Sequence, residues 1–316
     1  MNIETYYVPI RIRALKFASV YRLNTGNHSY MIDSGMDRTA MEFLESNGLD
    51  FKSINAIILT HMHIDHIGGA KSVQEKYGIP VYINSRDREK VLSIQNDISG
   101  FLRYSKTFLA EMGVPGNMTE AMGENHPIAA ELNNYEHVDL EVFEKMPSTL
   151  NEIEYFHVPG HSPGSTCFLP KNSGVIFTGD HILQRITPNI SYYDEKEDML
   201  MEYIESLNKT KAMGKEKAFP GHGEPFEGIN ERIDQIISHH NERIREIGSI
   251  LEDGKKTAYE VATKMHWSRG RTMDSMNLME RNFAVGEAIA HLRYMENKGY
   301  AESHLIGGIR YYRSVL

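Results

Sequence analysis

The chain has 316 residues, 41% hydrophobic and 24% charged, which suits one large domain or a large domain with a small appendage, and no apolar run approaches the ~20 residues of a membrane helix. A formal net charge of -9 argues against a whole-chain polyanion binder. The single cysteine, Cys167, excludes an internal disulfide, and Met1 to Val20 lacks the basic start and apolar core of an export signal, so the expected location is cytoplasmic.

In chain order, Tyr6 to Ile10 and Ala18 to Leu23 are rich in β-forming residues and predict strands, with a turn at Asn24 to Asn27 leading into Tyr30 to Ile32. Asp37 is placed to cap a helix that Gly48 ends, and Ala56-Ile57-Ile58-Leu59 suits a strand buried on both faces. A helix over Ala70 to Tyr77, stopped by Gly78, and a strand over Ile79 to Ile83 continue an α/β alternation. From Ser85 to Leu150 the pattern turns helical and irregular with no strong strand; Phe101, Tyr104, Phe108, Met112, Met118 and Met122 are scattered through it. This reads as an inserted helical cap whose apolar residues line a substrate pocket or else form the cap's own core or a dimer contact. Strands resume at Glu154 to Val158, Thr166 to Leu169 and Gly174 to Phe177, followed by a helix over Met199 to Met213, a short strand at Ala218-Phe219 and a long amphipathic helix over Ile229 to Leu251. Helices at Thr257 to Lys264 and Phe283 to Lys298, then strands at Tyr300 to Ser303 and Ile309 to Arg313, have the order of a winged helix. The expected domains are therefore 1–230, carrying the 85–150 insertion, and 231–316, a linker helix with a winged-helix-like module.

The chemistry concentrates in Thr60-His61-Met62-His63-Ile64-Asp65-His66-Ile67-Gly68-Gly69, where four good metal ligands fall within six residues directly after a buried strand. Three further candidates each follow an apolar strand and a glycine: His161 in Pro159-Gly160-His161, Asp180 in Thr178-Gly179-Asp180 and His222 in Pro220-Gly221-His222. A glycine lets the chain turn sharply and point the next side chain over the sheet edge. Any one of these alone has a plain reading as a turn histidine or a helix-capping aspartate; together they supply five histidines and two carboxylates, enough for two metals. His239, His240 and His291 read as solvated or capping residues on helices, and Cys167 as a core residue on a strand.

These motifs closely resemble the metallo-β-lactamase superfamily over about Thr5 to Glu227. The resemblance implies an αββα sandwich with a dinuclear zinc site: His61, His63 and His161 on one metal, Asp65, His66 and His222 on the other, and Asp180 bridging. Asp33, in Ile32-Asp33-Ser34-Gly35, matches the family's first motif, a carboxylate that orients the site from behind its ligands; a turn or capping aspartate is the alternative. His63 stands where the diiron oxygen-reducing branch carries Glu, which favours hydrolysis. The tail is similar to that of lactamase-β-like hydrolases with a C-terminal winged helix, among them single-strand-specific endoribonucleases.

The expected activity is metal-dependent hydrolysis of an ester, thioester or lactone by a hydroxide shared between two divalent ions, with Asp65 and Asp180 steering it and receiving its proton. Zinc is the first choice, with Mn2+ or Fe2+ as alternatives. The competing expectation is cleavage of single-stranded RNA, for which Lys255, Lys256, Lys264, Arg269, Arg271, Arg310 and Arg313 are the candidate phosphate contacts. The tail's excess of basic residues is small, 12 Lys and Arg against 10 Asp and Glu from His240 onward, so packing or a homodimer contact competes with that role.

Overall fold

The computed structural model describes residues 1–12, 15–124, 138–150, 152–193 and 197–315; residues 125–137 of the expected insertion and the side chains of Met122, Glu124 and Arg269 lie outside them. In chain order the elements are β1 (Asn2–Pro9), β2 (Phe17–Asn24), β3 (Ser29–Ile32), α1 (Arg38–Ser46), β4 (Ala56–Ile58), α2 (Ile64–Ile67), α3 (Ala70–Tyr77), β5 (Val81–Ile83), α4 (Ser85–Asn96), α5 (Ile98–Glu111), α6 (Gly116–Glu124), β6 (Leu140–Val142), β7 (Ile153–His157), β8 (Thr166–Pro170), β9 (Val175–Gly179), α7 (Met199–Ala212), β10 (Lys217–Pro220), β11 (Phe226–Glu227), α8 (Ile229–Glu252), α9 (Ala258–Lys264), α10 (Leu278–Asn297), β12 (Ala301–Ile306) and β13 (Ile309–Ser314). Contacts divide them into two units, one of residues 1–96, 131–188 and 205–233, the other of 97–130, 189–204 and 234–316.

In the first unit a six-stranded sheet runs β1-β2-β3-β4-β5-β6 and a five-stranded sheet runs β11-β10-β9-β8-β7. The hairpins at β1 to β3 are antiparallel, and β3 to β6 are parallel. The sheets meet face to face: Tyr21, Tyr30, Ile32, Ile58 and Tyr82 of the first pack against Phe168, Phe177 and Phe219 of the second. Side chains alternate across a strand, so Met31 and Ile57 point to the other face of the first sheet and are buried there too. That two-sided burial is what the uninterrupted Ala56-Ile57-Ile58-Leu59 run demands. Asp37 caps α1 by accepting from the Thr39 amide at 2.8 Å, and Gly78 closes α3 in the left-handed conformation. β6 is a short strand within the stretch from Ser85 to Leu150, where the sequence pattern shows no strong strand. Three residues show no periodicity, and what makes them a strand is their parallel pairing with Val81 to Ile83.

The second unit buries Leu109, Met112 and Val114 of the α5–α6 region with Ile247, Val261, Val285 and Leu292, and Phe108 and Met118 pack against the same core. These insertion residues thus join a core with the C-terminal helices, because a short helical pair cannot cover its own apolar face. The hairpin β12–β13 follows α10 in the expected order. His240 and His291 correct the reading as solvated or capping residues. They are 1% and 0% exposed, and His240 Nδ1 lies 3.1 Å from His291 Nε2. Both helix faces are occupied by tertiary packing, which residue type alone does not reveal.

Candidate metal centre

Each expected ligand stands just beyond the C-terminal end of a strand. The β4–α2 turn and α2 carry His61, His63, Asp65 and His66; the β7–β8 loop carries His161; Asp180 follows β9 and His222 follows β10. The structure brings all seven together. His61, His63 and His161 form one group, His61, His66 and Asp180 a second, and Asp65, His66 and His222 a third, with candidate ligand atoms no more than 4.8 Å apart within each. Asp180 lies among them: its Oδ1 is 3.6 Å from His66 Nε2, and its Oδ2 is 3.6 Å from His161 Nε2 and 3.4 Å from His222 Nε2. Gly221 is required by space, since a Cβ there would stand 2.4 Å from Asp180 Oδ1 and 2.6 Å from His66 Cε1.

Hydrogen bonds aim the rings. Asp33 sits at the end of β3 with φ of 60°, a strained conformation for a non-glycine residue. Its Oδ1 accepts from the Thr60 amide at 2.7 Å, and its Oδ2 contacts Thr60 Oγ1 at 2.8 Å and His66 Nδ1 at 2.7 Å. His222 Nδ1 meets the Phe17 carbonyl at 2.7 Å, and His61 Nδ1 meets Thr60 Oγ1 at 3.0 Å. These contacts hold the far nitrogens toward one another. Burial lowers the His61 pKa well below its usual value with help from the neighbouring imidazoles, and burial with His161 takes His63 down to about 3. Burial opposes charge on His66 and His222 as well, but there the carboxylates prevail: Asp33, Asp180 and Asp65 raise His66 to about 9, and Asp180 raises His222 well above the usual range. Against a burial cost, His66 and His222 hold Asp65 at about 2 and keep Asp180 ionised.

His61 Nε2, His66 Nε2, His222 Nε2 and Asp180 Oδ1 are all buried without a well-formed hydrogen bond, His222 Nε2 having only charged contacts with Asp65 Oδ2 at 3.2 Å and Asp180 Oδ2 at 3.4 Å. Four such atoms in one cluster are costly as they stand. Imidazole nitrogen and carboxylate oxygen are the donors that zinc and its first-row neighbours take, so the residues fit divalent ions. Cys167 is outside this set, fully buried on β8, and burial pushes its thiol pKa up.

Two residues of the site escape the motif reading. Thr60 links Asp33 to His61, and its place at the head of the histidine motif is the signal that points to it. Asp87, in the first turn of α4 and 0% exposed, accepts from the Met62 amide at 2.9 Å, the Ser162 hydroxyl at 2.7 Å and the Gly164 amide at 2.6 Å. Burial pushes it up to about 6, with those three donors pulling back. A lone aspartate at a helix start carries no sequence signal of such a role.

Two face-to-face sheets with histidines and carboxylates converging beyond their strand ends define a protein built to hold divalent metal. The family profile described as "Metallo-beta-lactamase superfamily" matches residues 14–222, and the chain belongs to that superfamily, whose members are metal-dependent hydrolases that bind divalent ions. An atrochrysone carboxyl ACP thioesterase of Aspergillus fumigatus is 27% identical over 241 residues, 76% of this chain and 61% of its own length, so the match spans less than two thirds of that relative. The probable metallo-hydrolase YqjP of Bacillus subtilis is 21% identical over 304 residues, covering 92% of this chain and 91% of its own. In fold, a metallo-beta-lactamase family protein from Thermus thermophilus superposes with a TM-score of 0.81 at 23% identity, covering 99% of this chain and 98% of that one. No described helix is long and apolar enough to cross a membrane.

Proposed function

We propose that this chain is a dinuclear zinc hydrolase of carbonyl substrates, an ester, thioester or lactone, with residues 1–230 as its catalytic domain and 231–316 as a winged-helix-like appendage, acting in the cytoplasm. The observation that carries the reading is the convergence of five histidines, Asp65 and Asp180 with four buried, unsatisfied donor atoms. His61, His63 and His161 would hold one ion, Asp65, His66 and His222 the other, and Asp180 both. Divalent ions supply Lewis acidity that polarises a carbonyl and makes water nucleophilic near neutral pH. The chain's own part is to aim and to move protons. Asp33 fixes the His66 ring, the Phe17 carbonyl fixes His222, and the Asp65 and Asp180 carboxylates, ionised at neutral pH, would orient water and take its proton. With proton acceptors in place, no Ser or Cys nucleophile is needed. The thioesterase among the relatives supports acyl chemistry.

RNA cleavage draws less support, because the described basic side chains of the tail are engaged locally. Arg310 pairs with Glu111, Arg313 with Glu302, Arg271 with Glu280 and Lys264 with Asp253. Lys256 reaches the Asp253 carbonyl, and Lys255 lies over the Tyr311 ring. The test is turnover of thioester, ester, lactone and single-stranded RNA substrates by the zinc-loaded full chain beside His66→Ala. Acyl turnover that needs both zinc and His66 is expected. Metal-dependent RNA cleavage that falls steeply with salt, without acyl turnover, would establish the nuclease instead, and uptake of less than one equivalent of metal would end both readings.

A further inference from the structure

Asp87 ties together two loops that come from different sheets. Met62, whose amide it accepts, stands between His61 and His63 in the turn after β4; Ser162 and Gly164, its other two donors, follow His161 in the β7–β8 loop. All three donors are buried with it, and Ser162 Oγ also lies 2.9 Å from Ser165 Oγ, which accepts from the Ser162 amide at 3.0 Å. The two loops meet where His63 Nδ1 and His161 Nε2 come within 2.9 Å. The fit is close on the far side too, since a Cβ on Gly164 would stand 2.6 Å from Asp87 Cγ and 2.7 Å from both its Cβ and its amide nitrogen.

We infer that Asp87 is a positioning residue for the His61, His63 and His161 group, acting on the two loops that carry these rings, whereas Asp33 touches His66 directly and reaches His61 only through Thr60. The inference rests on the metal reading above but assigns a residue and a division of labour that reading does not contain. Three N–H and O–H donors converge on one side chain, and only a carboxylate offers acceptors to all three without presenting a donor of its own. An amide in its place must turn its NH2 toward the Gly164 amide or toward Met62 and Ser162. Turned toward Gly164, it costs the β7–β8 loop one of its two bonds to this side chain; turned toward Met62 and Ser162, it costs the β4–α2 turn the Met62 bond, and in both cases the tie between the loops that carry the imidazoles is weakened. The Asp65, His66 and His222 group, held by Asp33 and the Phe17 carbonyl, keeps its supports.

The experiment compares the full-length parent with Asp87→Asn, Ser162→Ala and Asp33→Asn. Zinc equivalents and affinities are read by chelator competition, cobalt(II) absorption is read per added equivalent, and amide hydrogen exchange is followed in the metal-free proteins. Asp87→Asn should weaken one of two equivalents about 10- to 100-fold, the range for lost supports of metal ligands, leave the other at parental affinity, and speed exchange at the Met62 and Gly164 amides. Ser162→Ala, which removes a single bond, should show a smaller loss at the same equivalent and covers the case of an insoluble Asp87→Asn. Asp33→Asn should weaken the other equivalent more than the one that Asp87→Asn weakens, because Asp33 contacts His66 directly and His61 only through Thr60. Parental affinity at both equivalents, or equal loss of both, in the Asp87 and Ser162 variants would overturn the assignment. A parent that takes up no metal would instead refute the proposed function. In that case the exchange at Met62 and Gly164 still decides the clamp itself.

Discussion

Replacing Asp33 by Asn tests the orientation argument with the least change in shape. The amide oxygen can keep the Thr60 amide bond of 2.7 Å, but the NH2 group then faces His66 Nδ1, which the carboxylate oxygen meets at 2.7 Å. A donor there obliges Nδ1 to accept, which moves the imidazole proton to Nε2, the buried atom that points at Asp180 and lacks a hydrogen bond. Binding an ion through Nε2 then requires the amide to turn away, leaving a buried polar contact unmade at about 1–3 kcal/mol. At 1.4 kcal/mol per tenfold, affinity for the ion held by His66 should fall about 10- to 100-fold, while the fold itself loses only about 1 kcal/mol because size and most contacts remain. Competition with a chromophoric chelator measures the first quantity and denaturant unfolding in the presence of a chelator the second. Parental metal affinity in Asp33→Asn would refute the tautomer argument. A loss of stability large enough to unfold the chain would show that Asp33 serves the fold rather than the site.

Gly221→Ala should reduce metal content with little change in secondary structure by circular dichroism, because the added Cβ meets Asp180 Oδ1 and His66 Cε1 inside the cluster. Phe177→Ala should cost about 3–5 kcal/mol in chemical denaturation, since its fully buried ring packs 5.0 Å from Phe219 and 5.2 Å from Tyr21 between the two sheets. Stripping the metal-loaded protein with a chelator should lower its melting temperature, because ions that bind only the folded site stabilise it by mass action. For pH, burial lowers His291 to about 4 and His240 well below its usual value. The unfolded chain then binds more protons between about 4 and 6.5, so the pair's contribution is complete above pH 6.5 and is lost as pH falls toward 4. Denaturation midpoints across that window should slope less in His291→Gln than in the parent.

The candidate ligands are legible in sequence because their chemistry is local: a run of His, His, Asp and His after a buried strand, and three glycine-preceded His or Asp residues after others, mark strand ends without any knowledge of pairing. The α/β alternation was legible for the same reason, since Asp37, Gly78 and the Ala56 to Leu59 run act within a few residues of themselves. β6 was not, because Leu140 to Val142 becomes a strand only by pairing with β5. His240 and His291 were misjudged because burial is decided by what packs on a helix, not by the residue. Asp87 is the sharpest case: a helix-start aspartate looks alike whether it faces water or clamps two loops. Its partners Met62, Ser162 and Gly164 lie 25 to 77 residues away, so only the folding together of two sheets could reveal the difference.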